Sequence, residues 1–196
     1  MVRDMERLQT LKDGSVEQAE SLTRAGRFTD IKMGPLSFAE LSEHGSPADE
    51  MRARERRLLY GAYLDIVTHP GDEVERLREL GKGYLYKDIL KYEDVKKPEL
   101  LDKIVRALAY QIGQEVVYSE LAQLVGSDDR TVARYVDILE KAFIVRKVRS
   151  FSRNLRNELK KSKKVYFMDC GIRNYVIGDW RPLQSRGRDE IGHLWE

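Results

Sequence analysis

Residues 119–141 read SELAQLVGSDDRTVARYVDILEK, and the rest of the expected fold is arranged around them. The pattern predicts two short amphipathic helices joined by a tight turn at Gly126, which is a helix-turn-helix. Either Ser127 or Asp128 is suited to cap the second helix, the candidate recognition helix. The apolar faces comprise Leu121, Leu124 and Val125 in the first helix, and Val132, Val136 and Leu139 in the second. The opposite face of the second helix carries Arg130, Arg134, Asp137 and Lys141.

The flanking sequence predicts a wing. Pro98 begins a helix with an apolar side, and two strand-like runs follow the recognition helix at residues 143–148 and 165–168. The basic stretch between the runs, residues 149–164, is expected to form the wing tip, where such proteins contact the phosphate backbone. The fold class predicted here is mainly α with a small β component, ending in a winged helix-turn-helix.

The N-terminal half reads as a series of helices. Ser46 is a cap with proline at the first helical position, and the helix is expected to run to about residue 67. Pro70 and Gly71 break the chain before Asp72, which caps the next helical segment. No stable element is predicted for residues 1–14.

Charge is small overall but unevenly distributed. The net charge is +2, whereas residues 141–164 hold six lysines and four arginines against the single Glu158, a net charge of +9. A polyanionic partner favours such one-sided clustering. The alternative is a solvated basic loop.

Several chemistries are not predicted. The sequence has no P-loop motif, and His44, His69 and His193 are too far apart in sequence for metal-ligand spacing. Cys170 lies in an apolar, strand-like segment and is expected to be a buried, inert thiol. No apolar run is long enough to span a membrane and no signal peptide is present, so a cytoplasmic location is expected. We expect no catalytic residue, metal or cofactor.

The order of certain phrases resembles the AAA-like ATPases (AAA_14 type) that carry a C-terminal DUF4143 region. The phrases are SLTRAGRFTDIKMGPLSFAEL at residues 21–41, LYGAY at 59–63, KDI at 87–89, TVARYVDIL at 131–139, KVYFMDCGIR at 164–173 and GHLWE at 192–196. Together they cover residues 15–196. Members of that family also have a P-loop and a nuclease-like domain, and this chain has neither.

The resemblance implies that the chain is a non-catalytic fragment. It implies the following divisions: 1–45, a remnant of the ATPase core; 46–97, a helical lid-like segment; 98–178, the winged helix-turn-helix; and 179–196, a linker toward a missing nuclease-like domain. It also implies a role in the parent protein for Arg27 as an arginine finger toward a neighbouring subunit. A strand-edge salt bridge is the alternative for that residue.

Three functional hypotheses follow. The first is a DNA-binding module that uses Arg130, Thr131, Arg134 and Tyr135 in the groove and Arg149, Arg153, Lys160, Lys161, Lys163 and Lys164 on phosphates. The second is a protein-protein adaptor or oligomerisation module, with self-association through an N-terminal segment that includes Phe28, Ile31, Leu36 and Phe38. The third is part of an ATP-dependent enzyme that needs residues outside this chain. Asp128 and Asp129 repel phosphate, so low sequence specificity is expected.

Overall fold

Helices dominate the part of the chain that the computed structural model describes, which is residues 34–83, 89, 95–149 and 163–195. Within residues 34–83 the structure describes four helices: α1 (Phe38–His44), α2 (Pro47–Tyr60), α3 (Leu64–Val67) and α4 (Glu73–Gly81). The Ser37 side chain caps α1 and accepts from the Glu40 backbone N–H, while the Glu40 side chain accepts from the Ser37 backbone. Ser46 caps α2 by accepting from the Asp49 N–H, and Pro47 is its first residue, as predicted.

The end of α2 differs from the prediction. The helix stops at Tyr60 rather than near residue 67, and a separate short helix, α3, follows. The break lies at Gly61, whose φ of 80° is in the left-handed region that favours glycine. Its backbone N–H donates to the Arg57 carbonyl at 2.8 Å, which closes the helix end.

The second half contains helices and a small sheet. Its elements are α5 (Pro98–Tyr110), β1 (Glu115–Val116), α6 (Tyr118–Val125), α7 (Asp129–Lys141), β2 (Val145–Arg149), β3 (Lys163–Phe167), α8 (Cys170–Ile177), a 3-10 turn (Leu183–Ser185) and α9 (Arg188–Trp195). The strands form an antiparallel sheet in the order β1-β3-β2. Val145 pairs with Phe167, and Arg149 pairs with Lys163. The mainly helical class with a small β component is confirmed.

One hydrophobic core extends on both sides of residues 97 and 98. Leu77 of α4 and Ile66 of α3 belong to the same buried cluster as Ile104 of α5 and Ile172 of α8. The described residues group as one compact unit. Residues 46–97 and 98–178, expected to be separate segments, therefore share the packing that stabilises them.

Two details of the predicted packing are wrong. Leu124 is 67% exposed, because α6 buries Leu121, Ala122 and Val125 and turns position 124 away from them. Cys170 is the first residue of α8 rather than part of a strand, because Asp169 caps that helix by accepting from the Ile172 N–H. Within the described ranges, no helix has the length and apolar character needed to cross a membrane.

Candidate nucleic-acid interface

The turn between α6 and α7 is built by one glycine and one aspartate. Gly126 has a φ of 70°, and Asp128 is the N-cap of α7. One carboxylate oxygen of Asp128 accepts from the Thr131 backbone N–H at 2.8 Å, and the other accepts from the Thr131 hydroxyl at 2.7 Å. These hydrogen bonds lower the pKa of Asp128. The predicted turn and the Asp128 cap are confirmed, and the Thr131 side chain is committed to the cap.

Helix α7 presents two different faces. Val132, Val136 and Leu139 are fully buried, as predicted. The opposite face exposes Arg130, Arg134, Asp137 and Lys141. Among the described residues, the Arg130 guanidinium forms no ion pair. The side of α7 that faces solvent therefore begins with an arginine that is available to a partner.

Tyr135 does not lie on that exposed face. It is 5% exposed, and its hydroxyl accepts from the Lys97 backbone N–H at 3.1 Å and donates to the Lys97 carbonyl at 3.4 Å. The predicted placement of Tyr135 in a groove is corrected, because its ring fills the core beside the start of α5. Its hydroxyl instead ties α7 to the residue that precedes α5.

Lys147 of strand β2 pairs with two acids of α7. The Lys147 ammonium pairs with Asp137 and, at 2.7 Å, with Glu140, and the Lys147 backbone N–H donates to Glu140 at 2.9 Å. Burial lowers the pKa of Lys147, but the hydrogen bonds to both carboxylates outweigh it, so the pKa is raised overall. This cluster holds the sheet against the C-terminal half of α7. It also offsets negative charge that would repel a polyanion.

The basic residues of the sheet are divided between its two faces. Lys163 and Lys164 are consecutive on β3, so their side chains point to opposite sides. The Lys163 ammonium lies 5.9 Å from the centre of the Tyr118 ring, where a cation–π contact forms. The two lysines, predicted to contact phosphate together, therefore do not share one surface.

The remaining predicted residues are only partly described. Arg149 is the last residue of β2 and pairs through its backbone with Lys163. Arg27, Arg153, Lys160 and Lys161 lie outside the described residues. Arg146, which was not among the predicted contact residues, is exposed on β2 within the block of net charge +9. Strand alternation signals its position, since Val145 and Val165 mark the buried face.

A second group of polar residues, buried behind the sheet, has an architectural role. One oxygen of Asp169 accepts from the Ala62 N–H at 2.8 Å, and the other accepts from the Ile172 N–H at 3.1 Å. Burial raises the pKa of Asp169 to about 6, although the backbone N–H groups of Ala62, Ile172 and Gly171 act in the opposite direction. A Cβ on Gly61 would lie 2.0 Å from an Asp169 oxygen. This contact fixes the end of α2 against the start of α8.

Asn174 and Arg173 extend the same junction. The Asn174 amide donates to the carbonyls of Leu58 and Leu59, each at 2.9 Å. The Arg173 Nε donates to the Ala109 carbonyl at 2.9 Å. Helix α8 thereby satisfies carbonyls near the C-terminal ends of both α2 and α5. The neighbouring Cys170 was expected to be buried and is half-buried, and the burial of its thiol raises its pKa to about 12.

These observations define a mainly helical protein with a three-stranded antiparallel sheet and an exposed face of α7 on which Arg130, Arg134 and Lys141 lie beside Asp137. The chain belongs to the family described as a domain of unknown function, DUF8612, whose model matches residues 51–182. The matched region includes α7, the sheet and the Asp169 junction.

Relatives of the chain are uncharacterised. An uncharacterised protein of Haemophilus influenzae is 27% identical over 165 residues, which are 79% of this chain and 41% of the relative. Uncharacterised proteins of Mycobacterium bovis and Mycobacterium tuberculosis are each 29% identical over 89 residues, which are 45% of this chain and 20% of the relative. The chain thus spans less than half the length of these relatives. No solved structure matches it.

The family match corrects the resemblance drawn from the sequence. The chain matches DUF8612, and neither the AAA-like ATPases nor the DUF4143 region is supported. Two phrases that carried the resemblance, LYGAY and KVYFMDCGIR, meet at one junction of this fold. A Cβ on Gly171 would lie 2.1 Å from the Tyr60 carbonyl oxygen, and Gly61 is equally close to Asp169. These residues are therefore explained by packing, which makes the short phrases a poor guide to ATPase function.

Proposed function

We propose that this protein is a nucleic-acid-binding module of the winged helix-turn-helix type, with α7 as its recognition helix. The order of α5, β1, α6, α7 and a β2–β3 hairpin is the order expected for that architecture. The observation that carries the proposal is the outer face of α7, where Arg130 and Arg134 are exposed while Lys147 pairs with Asp137 and Glu140. Such a face suits insertion between two phosphate backbones.

Low sequence specificity is part of the proposal. Asp128 and Asp129 begin the helix whose N-terminal residues would meet base edges, and their charge disfavours close approach to phosphates. Binding would then rest on backbone contacts by Arg130, Arg134 and basic residues of the hairpin, which carry no sequence information. We propose binding rather than catalysis, and a nucleic-acid partner fits the cytoplasmic location predicted from the sequence.

Fluorescence anisotropy with a labelled DNA duplex tests this proposal. At about 50 mM salt the chain is expected to bind, and the logarithm of its affinity should fall by about 0.9 per phosphate contacted for each tenfold rise in salt. The double variant Arg130→Ala, Arg134→Ala should bind more weakly and with a shallower slope. The matched control is Arg54→Ala, Lys82→Ala, which removes two exposed charges outside this surface. No binding by the wild type, or equal binding by both variants, would contradict the proposal.

Exposed apolar side chains favour a second candidate, a protein-protein adaptor. Tyr110 is 68% exposed, Leu124 is 67% exposed, and Phe38 is 54% exposed. Large apolar residues at the surface are typical of contact sites when they cluster. In this alternative Phe38 contributes to self-association, as predicted from the N-terminal segment; Phe28 and Ile31 of that segment lie outside the described residues. A monomer in light scattering at micromolar concentration would contradict self-association.

A further inference from the structure

We infer that a lysine-lined pocket at the start of α5 is a second phosphate-contact site for the same nucleic acid, so the inference rests on the proposed function. The pocket has a volume of about 360 Å³ and opens between the start of α5 and the α6–α7 turn. Its cationic lining is Lys96, Lys97 and Lys103, and Ser127 contributes a hydroxyl from the turn. This pocket lies outside residues 141–164, the basic stretch that the sequence indicated as a contact for a polyanion.

The charge of the pocket suits an anionic ligand. Lys96, Lys97 and Lys103 are exposed, and among the described residues their ammonium groups form no ion pair. The one acidic residue in the lining is Glu99, so the lining has a net positive charge. Most other basic side chains described around α2 and α4 are paired, as Arg56 is with Glu73 and Arg57 with Glu50. Lysines without a carboxylate partner are available to phosphate oxygens.

The position of the pocket relative to α7 identifies the partner as a duplex. Gly126 and Ser127 of the lining directly precede α7, and the Tyr135 hydroxyl holds the Lys97 backbone against that helix. At the other end, Lys147 of β2 contacts Asp137 and Glu140. The lysine pocket and strand β2 of the hairpin therefore lie near opposite ends of a 13-residue helix, which is about 20 Å long.

A double helix presents two phosphate backbones to a helix of that length, because the helix is longer than the groove is wide. The major groove is about 12 Å wide and is bordered by two backbones, so a helix in the groove has a phosphate strand on each side. The hairpin would contact one strand, and the lysine pocket would contact the other. An acidic peptide is a weaker fit, since a peptide lying in this pocket would not require a second basic region beyond α7.

The test uses the full chain with Lys96→Ala, Lys97→Ala and Lys103→Ala combined. Anisotropy titrations of a labelled DNA duplex at several salt concentrations should show weaker binding, to a similar extent for unrelated sequences. The salt slope should fall by between about 1 and 3, because each lost phosphate contact removes about 0.9. The matched control, Arg54→Ala with Lys82→Ala and Arg188→Ala, should keep the wild-type slope. Circular dichroism verifies that both variants are folded.

The outcomes separate the two proposals. If the wild type binds and Arg130→Ala, Arg134→Ala weakens binding while the lysine variant keeps the wild-type slope, the pocket inference is overturned and the proposed function stands. If only the lysine variant weakens binding, the pocket is supported and the role of α7 fails. Absence of wild-type binding overturns both. A labelled poly-glutamate peptide is titrated in the same way. If it binds the wild type but not the lysine variant, while both proteins bind the duplex equally, the duplex assignment is overturned.

Discussion

Gly61 shows at the scale of one residue how a distant contact sets a helix end. Its φ of 80° excludes most side chains, and Asp169 occupies the space where a Cβ would lie. Gly178 also has a positive φ, 66°, but has no atom within 4 Å of that position. A side chain at Gly61 would therefore meet both backbone strain and crowding, whereas one at Gly178 would meet backbone strain alone.

The substitution Gly61→Ala is predicted to destabilise the protein more than Gly178→Ala. Gly178→Ala loses about 1 to 2 kcal/mol to the left-handed helical backbone. Gly61 has a ψ of −168°, a conformation almost restricted to glycine, so its backbone cost is at least as large. Gly61→Ala additionally forces Asp169 from its hydrogen bonds, and overpacking of this kind costs about 1 to 3 kcal/mol more. Urea unfolding measures both free energies. Equal losses in the two variants would show that the junction yields easily around Asp169.

The ionisation of Asp169 predicts a specific dependence of stability on pH. Its pKa is raised to about 6 in the folded protein, above the ordinary value of 3.8, so the folded state takes up a proton more readily than the unfolded chain. The contribution of Asp169 to stability is therefore fully present below about pH 4 and declines as the pH rises through 6. A shift of this size corresponds to a free energy on the order of 2 to 3 kcal/mol.

The comparison with Asp169→Asn isolates that effect, because asparagine keeps the shape of the side chain and does not ionise. The free energy of unfolding of the wild type minus that of the variant should decrease between pH 4 and pH 7. Parallel pH profiles for the two proteins would mean that the carboxyl does not titrate in this range in the folded state.

Single-residue roles were predictable from the sequence where the residue contacts its neighbours in the chain. Gly126 and Asp128 were predictable because a turn and a cap use neighbouring backbone groups. Tyr135 was wrongly grouped with Arg130, Thr131 and Arg134 as a groove residue. Its spacing carried the correct signal, since it follows Val132 by three residues and precedes Leu139 by four, which places it on the inward side of α7. Its partner, Lys97, lies 38 residues away.

At the scale of elements, the aspartate that caps α7 also places a negative charge where the proposed function would favour a positive one. Its cap requires an oxygen acceptor at position 128, and that acceptor brings a negative charge to the start of the proposed recognition helix. The boundaries of such elements were predictable where caps are local, as at Ser46. The end of α2 was not, because the contact that fixes it comes from Asp169, more than a hundred residues later.

The substitution Asp128→Asn is predicted to separate the cap from the charge. Asparagine retains a capping oxygen, so stability should change little, whereas Asp128→Ala should unfold at a lower urea concentration. Loss of the carboxylate should also raise the affinity for a DNA duplex several-fold at low salt, because repulsion of phosphate is reduced. Urea unfolding and anisotropy measure the two effects. If Asp128→Asn bound DNA no more tightly than the wild type, the start of α7 would not approach phosphates.

At the scale of the whole molecule, short sequence patterns did not predict that the N-terminal helices share a core with the second half of the chain. Periodicity predicted most helices of the second half, and the small sheet was expected as a wing. Periodicity could not indicate that α2, α4 and α8 pack together, because their contacts join residues far apart in sequence. Asn174 of α8, for example, bonds to Leu58, 116 residues earlier. Two of the phrases that suggested an ATPase, LYGAY and KVYFMDCGIR, contain residues that pack at the contact between α2 and α8.

The main buried cluster, which joins α3 and α4 to α5, α7 and α8, predicts that the molecule unfolds as one unit. Trp180 stacks on Tyr60 of α2 with ring centres 5.9 Å apart, so its fluorescence reports on the junction of α2 with the segment after α8. The chain has two tryptophans, and replacing Trp195 with phenylalanine leaves Trp180 as the single probe. In urea, the transition followed by Trp180 fluorescence should coincide with that followed by far-UV circular dichroism, which reports on all helices. A fluorescence transition at lower urea would mean that the N-terminal helices detach first, and that residues 98–178 retain structure without them.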